Sequence, residues 1–175
     1  LKNKDESFDW PEFNENDIVL TPSLTCFATT CSILANNVKI RWLDVDLNTA
    51  NIDLNDLKSK LNEHTKVIYL VHWGGMPVDL EELDKICNEH KLKYGFKPMI
   101  VEDCAHAFGS NYQNQRIGSI GDISCFSFDG IKNITSGEGG CVVTNDQDVL
   151  SKVADSRLLG IIRDRDLIPW DHDID

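Results

Sequence analysis

Three stretches of this 175-residue chain place reactive side chains directly after apolar, β-type runs. His72-Trp-Gly-Gly75 follows Val71, and Glu102-Asp-Cys-Ala-His106 follows Val101. Asp129-Gly-Ile-Lys132 follows Phe128 and runs into Asn133-Ile-Thr-Ser-Gly-Glu-Gly-Gly140. A lysine amine attacks carbonyl carbons once its proton is removed. Lys132 has a rigid seat for that task, between a strand end and a glycine-rich turn. Asp103 emerges from Ile and Val, which reads as a buried carboxylate in need of a partner.

A protonated pyridine nitrogen is a suitable partner for Asp103, and a lysine with an acidic group at the ring nitrogen is the residue pair of pyridoxal phosphate (PLP) sites. Each residue alone has a plainer reading. Lys132 is then a loop lysine, Asp103 a cap or turn residue, and His106 a satisfied histidine. Gly137-Glu-Gly-Gly140 is then only a turn, since glycine tolerates unusual backbone angles. Neither G-x-x-x-x-G-K-[ST] nor G-x-G-x-x-G occurs. His72, His106 and Asp103 also make a conceivable metal set, but their spacing gives it little support. Residue types and spacing alone give an α/β enzyme of undetermined chemistry.

The elements that must hold these residues alternate. Strands are expected at 18–20, Lys39 to Val45, 67–71, 99–101, 123–128 and 140–144. Helices are expected at 24–36 with Ser23 or Thr25 as N-cap, from Asp53 or Asn55 through Leu61, after Asp79, and from Asp146 through Leu159. A hairpin is expected around Asn111 to Arg116. The unbroken run Val67-Ile-Tyr-Leu-Val71 suits a strand covered on both faces. Strand–helix alternation predicts βαβ units and a mostly parallel sheet, whose ligands gather at the carboxyl ends of the strands. The three reactive stretches then share one sheet edge.

Bulk properties exclude several classes. The chain is 41% hydrophobic and 26% charged, ordinary for a globular protein. Its net charge of −12, with scattered Lys and Arg, argues against nucleic acid and anionic membranes as partners. No apolar stretch approaches the length of a membrane span. Six widely spaced cysteines without a C-x-x-C pair read as reduced, buried thiols in a cytoplasmic protein.

The order of motifs resembles the DegT/DnrJ/EryC1/StrS family of sugar aminotransferases. Thr21-Pro-Ser-Leu-Thr25 resembles the family's Pro-Ser-x-Thr turn, and Asp44-Val-Asp46 with Asn51-Ile-Asp53 its D-x-D…N-I-D segment. Thr65-Lys-Val-Ile68 leading to Val71-His-Trp-Gly74, then Glu102-Asp-Cys-Ala-His106 and Gly118-Ser-Ile-Gly-Asp122, follow in the family's order. Cys125-Phe-Ser-Phe128, Lys132-Asn-Ile-Thr135 and Gly137-Glu-Gly-Gly140 complete the match, which spans Asp17 to Ile161.

The resemblance implies an aspartate-aminotransferase-type (fold type I) large domain, a mostly parallel mixed sheet flanked by helices. Residues 1–162 would be part of that PLP-binding domain, and residues 163–175 a linker toward a C-terminal small domain. Lys132 would bond PLP covalently and shuttle the proton between C4′ and Cα. Asp103 would hold the pyridine nitrogen protonated, His106 would contact the cofactor, and Ser127 would hydrogen-bond its phosphate. The reaction would move an amino group, usually from glutamate, onto a keto carbon of a nucleotide-linked sugar, in a homodimer. Trp73 and Asn111 to Gln115 are candidates for the sugar side.

Two departures accompany the resemblance. Cys26 stands where many members have a ring-stacking aromatic, with Phe27 next. The family's phosphate-binding Gly-Thr pair is missing, and Leu1-Lys2 resembles the far end of its helix, while Trp170 to Asp175 resembles the approach to the small domain. The expectation is a chain truncated at both ends, with weak or no activity alone. A PLP-dependent sugar dehydratase is the nearest alternative, but such relatives carry His at the position of Lys132. A non-catalytic regulatory or binding relative is the other.

Overall fold

The computed structural model describes residues 13–157. Six strands form one sheet in the order β2-β1-β3-β4-β7-β8, and β5 and β6 form a separate two-stranded hairpin. The strands are β1 (Ile18–Pro22), β2 (Lys39–Leu43), β3 (Thr65–Val71), β4 (Met99–Asp103), β5 (Asn111–Tyr112), β6 (Gln115–Arg116), β7 (Ile123–Ser127) and β8 (Gly140–Thr144). The first four and β7 run parallel, while β8 returns antiparallel beside β7. The helices are α1 (Phe27–Ala35), α2 (Leu54–Lys60), α3 (Leu80–Tyr94) and α4 (Gln147–Ser156). A 3-10 turn, Trp73–Gly75, follows β3.

The sheet is mostly parallel, as the alternation predicts, and mixed and flanked by helices, as the resemblance implies; two apolar layers divide its faces. The larger packs Leu57 of α2 and Leu80, Leu83, Ile86 and Cys87 of α3 against Leu20, Ile68, Leu70 and Ile100. The smaller joins Ile33 of α1 to Val19 and Val67. Strand β3 lies between both layers, which is why its residues 67–71 form an apolar run and nearly all of the strand is buried. Helix α3 starts where the Asp79 carboxylate accepts the Glu82 N–H and stops at Gly95 in the left-handed conformation. None of the described helices is long and apolar enough to cross a membrane.

Several expectations need correction. Helix α1 begins at Phe27 with Cys26 at the N-cap, whose side chain makes no capping bond. Thr25 does not cap, because its hydroxyl lies 2.6 Å from that of Thr29 one turn ahead. Strand β2 ends at Leu43, short of Val45, because the Asp46 carboxylate collects the Asn48 and Thr49 N–H groups and turns the chain. Val45 then makes only an isolated bridge with Ile52. Of the six thiols, which form no disulfide, only Cys87 and Cys104 are buried; Cys26 and Cys141 are exposed. Cys141 lies on β8, whose residues are nearly all exposed. Leu159, residues 163–175, Leu1-Lys2 and Trp170 to Asp175 lie outside the described residues.

Candidate active site

The register of the parallel strands brings the reactive stretches to one edge. Val71 pairs with Asp103, and Asp103 with Cys125, so the loops after β3, β4 and β7 leave the sheet side by side. Cross-links then hold these loops together. The Gly74 N–H donates to His106 Nδ1 at 3.2 Å, and Ser110 Oγ donates to the Gly75 carbonyl at 2.7 Å. Gly75 has φ +83°, and a Cβ there would sit 2.7 Å from the His106 carbonyl oxygen. Only glycine fits this approach. The buried Asn51 clamps the same turn, accepting the Trp73 N–H and donating to the Met76 carbonyl.

Asp103 is only half-buried, contrary to the expectation from its apolar neighbours. Its Oδ2 accepts the Thr29 hydroxyl at 2.7 Å and its Oδ1 accepts the Ala105 N–H at 3.0 Å. The fully buried carboxylate is Glu102, one residue earlier. Adjacent strand residues face opposite sides, so Glu102 points away from Asp103, on the same side as Ile100. Its oxygens accept His72 Nε2–H at 2.7 Å, the Gly121 N–H at 2.6 Å and the Ser124 hydroxyl at 3.3 Å. A Cβ on Gly121 would lie 1.9 Å from Glu102 Oε1. His72 Nδ1 accepts the Val78 N–H, so the ring's proton lies on Nε2.

Ser127 ends β7, where its Oγ accepts the Asp129 N–H at 3.3 Å and keeps its own hydrogen to give. Lys132 follows a tight turn in which its N–H donates to the Asp129 carbonyl and the Asp129 carboxylate accepts the Ile131 N–H. Asn133 donates to the Phe108 carbonyl at 2.9 Å, and the Phe108 ring stands edge-on to Phe126 and Phe128. The Lys132 loop is thereby fastened to the loop carrying His106. His106 itself is exposed, with its ring edge-on to Trp73 at 5.6 Å. Asp103, His106, Ser127 and Lys132 are thus all carried on one edge of the sheet. Thr29 and Glu102 were not singled out beforehand. The period-2 pairing of Glu102 with Ile100 is the signal that marks Glu102, whereas no local signal marks Thr29.

His72, His106 and Asp103 do not form the metal set considered above. Among the described residues, the one trio with ligand atoms close together is His72, Glu102 and Cys104, within 4.8 Å of one another. Its histidine and carboxylate are already committed to each other and to backbone N–H groups. Burial, and then the Glu102 charge, push the Cys104 thiol well above its ordinary range, so it stays protonated.

Comparison with known proteins agrees with this arrangement. The model of the DegT/DnrJ/EryC1/StrS aminotransferase family matches residues 8–172. The chain belongs to this family. The crystal structure of sugar aminotransferase CalS13 from Micromonospora echinospora superposes with a TM-score of 0.80 at 41% identity, over 86% of this chain and 41% of that one. GDP-perosamine synthase of Escherichia coli O157:H7 is 38% identical over 139 residues, 79% of this chain and 36% of the relative. A putative sugar aminotransferase from Streptococcus pneumoniae, solved in its PLP form, gives a TM-score of 0.70 at 29% identity over 81% of this chain and 38% of that one. The chain therefore spans well under half the length of these members of the DegT/DnrJ/EryC1/StrS family.

The residues present suit the cofactor of such proteins. Each Asp103 oxygen accepts one hydrogen bond and retains a lone pair for a ring N–H. Ser127 has a hydrogen left for a phosphate, and Lys132 supplies a primary amine.

Proposed function

We propose that this chain carries the cofactor-binding half-site of a PLP-dependent aminotransferase acting on nucleotide-linked keto sugars. The observation that carries the reading is the pairing of β4 with β7, which sets the Asp103 strand end beside the one leading through Ser127 to Lys132. PLP, when bound, supplies an electron sink for the charge developing on the substrate carbon.

The protein's own groups do the rest. Lys132 Nζ would hold the cofactor covalently through its aldehyde carbon, with loss of water, and, once displaced by the substrate amine, would carry the proton taken from the substrate's Cα. Asp103 pairs with the ring N–H, and its negative charge keeps that proton in place. The Ser127 hydroxyl donates to the phosphate, and the His106 ring borders the cofactor. Trp73, held by Asn51, borders the sugar side together with the turn at 111–115. The amino donor is glutamate, the assembly a homodimer and the compartment the cytoplasm. Residues 1–162 make up the part of the large domain present here, and residues 163–175 lead toward a small domain.

The test is direct. PLP is added to the purified chain, the mixture is reduced with borohydride, and the modified peptide is mapped by mass spectrometry. The expected result is label on Lys132 and none there in Lys132→Ala. Label spread over surface lysines to the same extent in both chains would sink the reading.

A further inference from the structure

Four consecutive residues of α1, Thr29 to Ser32, carry a side-chain hydrogen to give. Thr30, Cys31 and Ser32 each return theirs to the carbonyl three residues back, on Phe27, Ala28 and Thr29. That is the ordinary local use of such side chains in a helix. Thr29 differs. It is 1% exposed, and its Oγ1 donates across 74 residues of sequence to Asp103 Oδ2 at 2.7 Å. Thr25 Oγ1 stands 2.6 Å behind it.

An ionised carboxylate only accepts, so Thr29's single hydrogen goes to Asp103. The hydrogen between the two threonines must then come from Thr25. The result is a directed chain, Thr25 to Thr29 to Asp103, each link polarising the next. The Ala105 N–H holds the other carboxylate oxygen at 3.0 Å. With one fixed donor on each oxygen, the Asp103 carboxylate cannot rotate about its Cβ–Cγ bond without losing both. Thr29 is too deeply buried for water to replace its hydroxyl.

We propose that Thr29, backed by Thr25, is a positioning residue that fixes the plane and charge of Asp103 toward the cofactor's ring nitrogen. This rests on the function proposed above. It also gives Thr25, the last residue of the Pro-Ser-x-Thr turn, a role distinct from capping α1.

Thr29→Val keeps the side chain's shape and removes its donor, whereas Thr29→Ser keeps the donor and removes a methyl. Both are compared with the unsubstituted chain for PLP affinity, for the pH midpoint of the bound cofactor's absorbance, and for thermal stability. Thr29→Val is expected to bind PLP roughly tenfold or more weakly and to shift the midpoint, with Thr29→Ser restoring both. Thermal stability, which follows packing, should not track that order. Thr25→Val, at a half-buried site, should move the midpoint the same way by less, and serves if Thr29→Val does not fold. Unchanged affinity and midpoint in both valine variants would overturn the role, as would a serine variant as impaired as the valine. Absence of Lys132-specific labelling in the unsubstituted chain would instead overturn the function, and this role with it.

Discussion

Glu102 and Asp103 are neighbours on one strand and carry the same functional group, yet the two faces of β4 treat them differently. Glu102 is 0% exposed and accepts hydrogen bonds from the residue after β3, from β7 and from the turn before β7. Asp103 is half-buried and holds one donor on each oxygen. A carboxylate sealed from solvent, with three internal donors on its oxygens, is out of a ligand's reach. One that is oriented but partly open is within it. The difference separates a group that builds the edge of the sheet from one that works there.

The largest effect should come from breaking the buried side. Glu102→Ala leaves His72 Nε2–H, the Gly121 N–H and the Ser124 hydroxyl without their acceptor, at the edge of the sheet. At roughly 1–3 kcal/mol for each orphaned buried donor, partly relieved by water entering the space, the expected loss is about 3–5 kcal/mol of stability. Urea unfolding of the two chains measures it. A loss below about 1 kcal/mol would show that the network is dispensable.

Asp103→Asn should give the reverse profile. An amide oxygen still accepts one of the two hydrogen bonds, and Thr29 can turn its hydroxyl to accept from the amide. Stability is expected to change by no more than about 1 kcal/mol. Labelling of Lys132 after PLP addition and reduction should fall steeply, because a neutral side chain no longer holds the ring proton. If both substitutions lower stability equally and leave labelling alike, the two faces do not divide the work.

The sequence made most of this legible, and the exceptions share a cause. The strand–helix alternation, the Asp53, Asp79 and Asp146 caps and the 111–116 hairpin follow from local rules, and the structure contains them. The β3, β4 and β7 edge was visible because each reactive stretch directly follows its own strand. Thr29 was not, because its partner is 74 residues away and nothing in α1 separates it from Thr30. The burial of Asp103 was misjudged because apolar neighbours along a strand do not reveal which face a loop leaves open. Helix α1 was misplaced at its start because the Thr25 hydroxyl has a better partner in Thr29 than in the backbone.

The smallest effect sharpens the contrast through the thiols. Burial pushes Cys125 up to about 11 and Cys87 up to about 12, from an ordinary value of 9.0. Below pH of about 9 these thiols are protonated in the folded and unfolded chain alike, so they leave stability unchanged. Above it the unfolded chain ionises them while the fold keeps them protonated, so stability falls as pH rises, until the folded thiols ionise in turn. The slope is at most about 1.4 kcal/mol per pH unit for each thiol. Tyr69, also pushed up chiefly by burial, contributes with the same sign. Cys125→Ala should therefore lose stability less steeply than the unsubstituted chain between pH of about 9 and 11. Alkylation gives the matching kinetic readout, because the thiolate is the reactive form. Cys26 and Cys141, both exposed, should react first, and Cys104, buried on the Glu102 side, last. Rapid labelling of Cys104 in the folded chain would mean that the Glu102 side of the strand opens to solvent, and the distinction between the two faces would fail at its buried end.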